Sequence, residues 1–164
     1  MNVVLIGMPG CGKSTVGVLL AKRLGARFED TDLLLQQQAG KRLQQMLDEE
    51  GREAVLTLEE RVMLGLDGEN TVIATGGSAV YSRAGMVHLK ENGRAIYLRL
   101  PLERVAERLG DYSARGVVDG DRLTLKELYE RRTPLYEQWA DAAVDADRPM
   151  EEVVEAVIAA IHMK

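Results

Sequence analysis

Cysteine is almost missing from this 164-residue chain. Cys11 stands alone, so no disulfide can close within one molecule, a usage that suits a reducing compartment. Aromatic residues are also scarce, at 4%, and positive charge is in deficit, with 21 Lys and Arg against 26 Asp and Glu. A net charge of −5 and so few stacking groups argue against a nucleic-acid partner, although a local arginine cluster could still hold a small anion. No apolar run approaches the roughly 20 residues of a membrane span. The opening run at residues 2–6 is short and has no basic lead, unlike a secretion signal. The expectation is a cytoplasmic protein without membrane or nucleic-acid partners, and a monomer. With 46% hydrophobic and 29% charged residues, the chain has the make-up of one globular domain over residues 1–164 with a real core.

What is present is concentrated near the start. The apolar run Asn2-Val3-Val4-Leu5-Ile6 leads directly into Gly7-Met8-Pro9-Gly10-Cys11-Gly12-Lys13-Ser14-Thr15. This fits G-x-x-x-x-G-K-[ST], the phosphate-binding P-loop, between a predicted strand and a predicted helix. Its glycines let successive backbone N–H groups converge on phosphate oxygens, and the helix beginning near Lys13 adds the positive end of its dipole. Gly10, Cys11, Gly12, Lys13, Ser14 and Thr15 are therefore the candidate nucleotide-binding residues. Lys13 can reach the β- and γ-phosphates, and Ser14 is placed to ligate Mg²⁺. Cys11 reads as a small loop residue; a reactive thiol, activated by the helix N-terminus, is the alternative.

Further along, residues 26–29 read as a short strand that delivers Asp30-Thr31-Asp32. Two aspartates at i and i+2 share one face if the chain is extended there. One suits Mg²⁺ through water, and the other suits an acceptor hydroxyl. An N-cap followed by a solvated acid, before a helix starting near Leu33, is the plainer reading. Residues 33–67 read as helical pieces broken at Gly40 and Gly51. Residues 71–75 form a strand running into Gly76-Gly77-Ser78, where paired glycines permit close backbone approach to a ligand. A helix over 82–91 and a strand over 94–100 follow, and Pro101 opens the next helix at its first position. Residues 110–121 hold three glycines, no apolar period and Arg115, and read as a mobile lid. Thr124-Leu125-Lys126-Glu127 is a capping-box pattern opening a helix that contains Arg132, with a break or kink predicted at Pro134. Residues 142–145 read as a last strand, and Pro149 begins the final helix. Strands alternating with helices predict an α/β fold whose parallel sheet is covered on both faces. The ligand then belongs at the carboxyl ends of the strands, where the P-loop, Asp30, Asp32, Gly76 and Gly77 all fall.

With these residues in place the sequence resembles the shikimate kinases, small P-loop kinases of aromatic amino-acid biosynthesis. The resemblance runs through nearly the whole chain. Beyond the P-loop it rests on Phe28-Glu29-Asp30-Thr31-Asp32, on Val72-Ile73-Ala74-Thr75-Gly76-Gly77, and on Arg132-Thr133-Pro134-Leu135-Tyr136 followed by Ala140-Asp141. It implies a P-loop NTPase-type three-layer sandwich with a five-stranded parallel sheet in order 2-3-1-4-5. It also implies substrate-binding helices at about 33–67, a lid at about 110–122, and transfer of the ATP γ-phosphoryl group to the 3-hydroxyl of shikimate. Lys13, Asp32 and Arg115 would be catalytic. Ser14 would ligate Mg²⁺ and Asp30 would support it through water. Asp32, Gly76, Gly77 and Arg132 would bind the acceptor, with Arg132 on its carboxylate, and Arg108 would lie near adenine.

The chain departs from the family pattern at the acceptor. In place of G-E-x-x-F-R-x-x-E it has Gly51-Arg52-Glu53-Ala54-Val55-Leu56-Thr57-Leu58-Glu59, so Leu56 stands where a carboxylate-binding arginine is expected. Ser78 replaces a third glycine, and the lid reads Arg115-Gly116-Val117-Val118 rather than R-P-L-L. Two other readings therefore stand beside a shikimate kinase. One is a kinase for a different small hydroxy acid or polyol. The other is a nucleotide-binding regulatory protein with little catalysis, against which Asp30, Asp32 and Arg115 weigh, because a sensor needs no acceptor base.

Overall fold

The computed structural model describes residues 1–110 and 116–163. Five strands form one parallel sheet: β1 (Asn2–Ile6), β2 (Arg27–Asp30), β3 (Thr71–Ala74), β4 (Gly93–Arg99) and β5 (Ala142–Asp145), in the order β2-β3-β1-β4-β5. Parallel neighbours cannot be joined by tight turns, so a helix-bearing crossover separates each strand from the next. In chain order the helices are α1 (Lys13–Leu24), α2 (Thr31–Ala39), α3 (Leu43–Glu50), α4 (Arg52–Leu64), α5 (Arg83–Glu91), α6 (Leu102–Leu109), α7 (Leu125–Trp139) and α8 (Met150–His162). The α/β fold is as the alternation of elements predicts, and the strand order is the one the family resemblance implies.

β1 is central and every one of its residues is buried. Its partners are set in register by Val3 opposite Val72 on one side and Val3 opposite Arg94 on the other. That register lines up the ends of β1 and β3, so the P-loop and the Gly76-Gly77 turn leave the sheet side by side. A run of three β-branched residues and a leucine suits a strand covered on both faces. The main core fills the sheet faces, and a second, smaller apolar cluster of Leu35, Met46, Val55, Val62 and Val118 lies among α2, α3 and α4.

Local boundaries move where side-chain chemistry outweighs periodicity. β2 ends one residue later than predicted, and α2 starts at Thr31 because the Asp30 carboxylate caps it, accepting from the backbone N–H groups of Asp32 and Leu33. Asp32 is therefore in a first helical turn, and the shared-face argument for an extended pair does not apply. Pro101 is the N-cap of α6 rather than its first helical residue. The capping box at Thr124 and Glu127 is present. α7 runs unbroken through Pro134, so the predicted break is absent. Among the described residues no helix is long and apolar enough to cross a membrane.

Candidate active site

A cavity of about 300 Å³ opens at the carboxyl end of the sheet. Its walls bring together Lys13 and Ser14 of the P-loop, Asp32 of α2, Gly77 and Ser78 after β3, and Arg132 of α7. These residues span more than a hundred positions of sequence. Five parallel strands pointing the same way bring them together.

Gly12 caps α1, so the helix N-terminus faces the cavity. Lys13 is buried, and its Nζ donates to the carbonyls of Gly7 and Met8 at 2.7 and 2.8 Å. A buried ammonium held by two loop carbonyls is aimed across the same concavity into which the loop N–H groups converge. Cys11 is buried with its Sγ 3.6 Å from Nζ. Ser14 Oγ donates to Asp30 Oδ2 at 2.7 Å, while Asp30 Oδ1 is occupied by the α2 cap. Asp30 thus serves as both cap and Ser14 partner. A serine hydroxyl and a carboxylate oxygen are hard donors of the kind Mg²⁺ takes, and they leave room for phosphate and water as its other ligands. Among the described residues no cluster of three or more His, Cys, Asp or Glu could form an all-protein cage. Arg108 Nη2 lies 3.5 Å from the Ala146 carbonyl, and its Nη1 is 3.9 Å from where a Cβ on Gly12 of the P-loop would stand.

Another wall of the cavity is built around the Gly76-Gly77 turn. Gly76 N–H donates to Thr31 Oγ1 at 2.9 Å, and a Cβ on Gly76 would lie 2.5 Å from Asp32 Oδ1 and 2.7 Å from Glu59 Oε2. Two carboxylates therefore crowd one glycine. Burial and the neighbouring Asp30 charge raise the Asp32 pKa, against the pull of Lys13 and Arg132. Burial and the Asp32 charge push Glu59 up to about 7, opposed by a hydrogen bond from Ser78 Oγ at 2.8 Å and by Arg132. Gly77 is clamped by α7. A Cβ there would meet Arg132 Nη1 at 2.8 Å, and its carbonyl accepts from the Tyr136 hydroxyl at 2.6 Å. Arg132 is 1% exposed; its Nη2 donates to the Val118 carbonyl at 2.8 Å.

Of the residues singled out from sequence, Gly10, Gly12, Lys13, Ser14, Thr15, Asp32, Gly77 and Arg132 line this cavity. Gly76, Asp30 and Cys11 lie directly behind its wall, as the contacts above describe. Arg115 lies outside the described residues. Glu59, Ser78 and Tyr136 carry hydrogen bonds that periodicity and composition did not flag. Glu59 ended the 51–59 stretch, and Tyr136 sits four residues after Arg132, on the same helical face; those spacings were the available signals.

The shikimate kinase family model matches residues 9–162. The chain belongs to the shikimate kinase family. A curated shikimate kinase from Persephonella marina is 38% identical over 147 residues, covering 89% of each chain. The solved shikimate kinase from Aquifex aeolicus is 32% identical, covers 98% of this chain and 96% of its own, and superposes with a TM-score of 0.86. A shikimate kinase from Acinetobacter baumannii, solved in complex with shikimate, is 28% identical with a TM-score of 0.88, covering 99% and 95%. Within the shikimate kinase fold, the Gly76-Gly77 turn, Asp32 and Arg132 are the parts of this cavity that the P-loop alone would not require.

Proposed function

We propose that this protein transfers the γ-phosphoryl group of ATP to the 3-hydroxyl of shikimate. The observation that carries this reading is the convergence of the P-loop with Asp32, Gly77 and Arg132 on one cavity. In this assignment α2, α3 and α4 form the acceptor-binding region of a single kinase domain. The P-loop backbone and Lys13 hold the β- and γ-phosphates, and Ser14, with Asp30 behind it, would hold Mg²⁺. The metal supplies charge neutralisation at the phosphates. Arg108 lies toward the adenine. Arg115 is assigned to the transferring phosphoryl by the family resemblance alone.

Phosphoryl transfer needs in-line positioning and charge neutralisation more than covalent help. Asp32 faces the cavity where the acceptor hydroxyl must sit and accepts its hydrogen bond, drawing the proton as the oxygen attacks. The Gly77 backbone gives the ring a surface without side chains, and Tyr136 fixes that backbone. Arg132, buried and charged, takes the acceptor carboxylate. The protein is assigned as a monomer in solution, which light scattering tests. The decisive assay is release of ADP by purified protein with Mg²⁺, ATP and shikimate. Turnover that needs all of these supports the reading, and turnover indifferent to shikimate contradicts it.

A further inference from the structure

Arg132 is the only arginine among the described residues lining the cavity, and Leu56 offers the acceptor no charge. Leu56 instead packs on the second apolar cluster. One turn earlier on α4, Arg52 does something that a surface arginine has no need to do. Its guanidinium lies over the Tyr81 ring, 5.7 Å from the centroid, and that of Arg132 lies over the same ring at 5.5 Å. Two cations gathered on one neutral ring repel each other, an arrangement that favours an anion near both.

A single short segment holds both of them. The Val118 carbonyl accepts from Arg132, and the next residue, Asp119, accepts from Arg52 Nε at 2.7 Å. Asp119 is buried, has a left-handed φ of 66°, and its Oδ2 is buried without a hydrogen-bond partner among the described residues. Left-handed backbone at a non-glycine and an unpaired buried oxygen are both unfavourable, so the surroundings of Asp119 must hold it in place. Its Oδ1 in turn holds the inner, Nε edge of Arg52. Among the described residues the outer edge is held only by Glu53, whose side chain is 85% exposed, so that bond is screened and readily exchanged for another carboxylate.

We propose that Arg52 is the second cation of the acceptor-carboxylate site, standing in for the arginine that Leu56 replaces, with Asp119 as the positioning residue that aims it. This rests on the reading of shikimate as acceptor. Arg52 approaches from the α4 N-terminus, Arg132 from α7, and the carboxylate is taken between them beside Tyr81. Because the carboxylate is remote from the reacting hydroxyl, the contact serves ground and transition states alike and appears in KM rather than kcat.

The test is steady-state kinetics of R52A, R52K, D119N and R52A/L56R, with thermal melts of each. R52A should raise KM for shikimate about 10- to 30-fold, with kcat and KM for ATP within about 2-fold of the parent. R52K, which keeps charge but not the fork, should fall between, and D119N should raise KM less than R52A. In R52A/L56R an arginine returned to position 56 should restore most of the lost affinity, a rescue that a purely structural role for Arg52 would not show. If the double variant fails to fold, R52K decides: a KM equal to that of R52A would count against a charge-reading role. An unchanged KM in R52A, or a rise that a folded R52A/L56R does not relieve, overturns the assignment. A parent protein that does not use shikimate overturns the proposed function itself, and this inference with it.

Discussion

A carboxylic acid buried against a second carboxylate holds its proton longer than it would in water. Glu59 is such a group: it is 2% exposed, and burial and the Asp32 charge carry its pKa from 4.5 to about 7. Between those values the folded state binds more protons than the unfolded state. Stability therefore falls as pH rises through that window and levels off above it. At about 1.4 kcal/mol per unit the loss is up to about 3 kcal/mol. E59Q can still accept from Ser78 and has no proton to lose. Relative to the parent it should gain stability between pH 5 and pH 8, read by denaturant unfolding at both, whereas parallel behaviour of the two proteins would contradict the burial argument. In the proposed function Asp32 is the member of the pair that meets the acceptor hydroxyl. D32N should lose turnover while ADP affinity by titration calorimetry stays nearly intact; weakened nucleotide binding with normal acceptor kinetics would move Asp32 to the metal shell. At this scale the sequence exposed whatever was local. Lys13 and Ser14 are read from a contiguous motif, and Asp30 and Asp32 from one tripeptide. The Glu59–Ser78 hydrogen bond spans 19 residues and the Tyr136–Gly77 bond 59, so neither had a signal before α4, β3 and α7 were placed together.

Helix α7 carries its clamp on Gly77 around an exposed proline. Pro134 removes one backbone donor, but Pro134 and Glu130 both face solvent, where water can reach the freed carbonyl. Arg132 and Tyr136, on either side of it, are anchored on Val118 and Gly77, and these tertiary bonds brace the helix where the proline alone predicted a break or a kink. Gly77→Ala would drive a Cβ against Arg132 and Pro9, so it should raise KM for the acceptor at least about 10-fold while leaving nucleotide affinity near that of the parent. Equal KM values would detach this turn from acceptor binding. The segment 116–121, the described part of the expected lid, docks on α3: Gly116 N–H donates to Gln44 Oε1 at 3.0 Å, and Val117 and Val118 are buried. Gly116 has φ 69°, and a Cβ there would lie 2.7 Å from Leu43 Cβ, so Gly116→Ala should lift the segment from α3. Amide exchange at residues 116–121 should slow when nucleotide and acceptor bind the parent protein, and less so in the variant. Identical protection with and without ligands would refute a closing role.

The whole molecule places its chemistry by topology. β1 and β3 stand side by side in parallel, α1 and α2 begin where β1 and β2 end, and α7 closes over the same edge. Strand alternation and turn chemistry made the α/β class legible, and family likeness supplied the strand order. Long-range polar pairing was not legible, because it depends on which loops the crossovers bring together. The nucleotide side follows the P-loop pattern, while Leu56 stands where the family pattern has an arginine and Arg52 lies over Tyr81. The proposed function therefore turns on the identity of the acceptor. The most direct measurement is ADP release by purified protein with Mg²⁺ and ATP across shikimate and related hydroxy acids, with the phosphorylated position read by NMR. Release should require shikimate, the product should be phosphorylated at the 3-hydroxyl, and K13A should show no turnover. Release that is unchanged without shikimate, or that occurs with another hydroxy acid and not with shikimate, would contradict the proposed function.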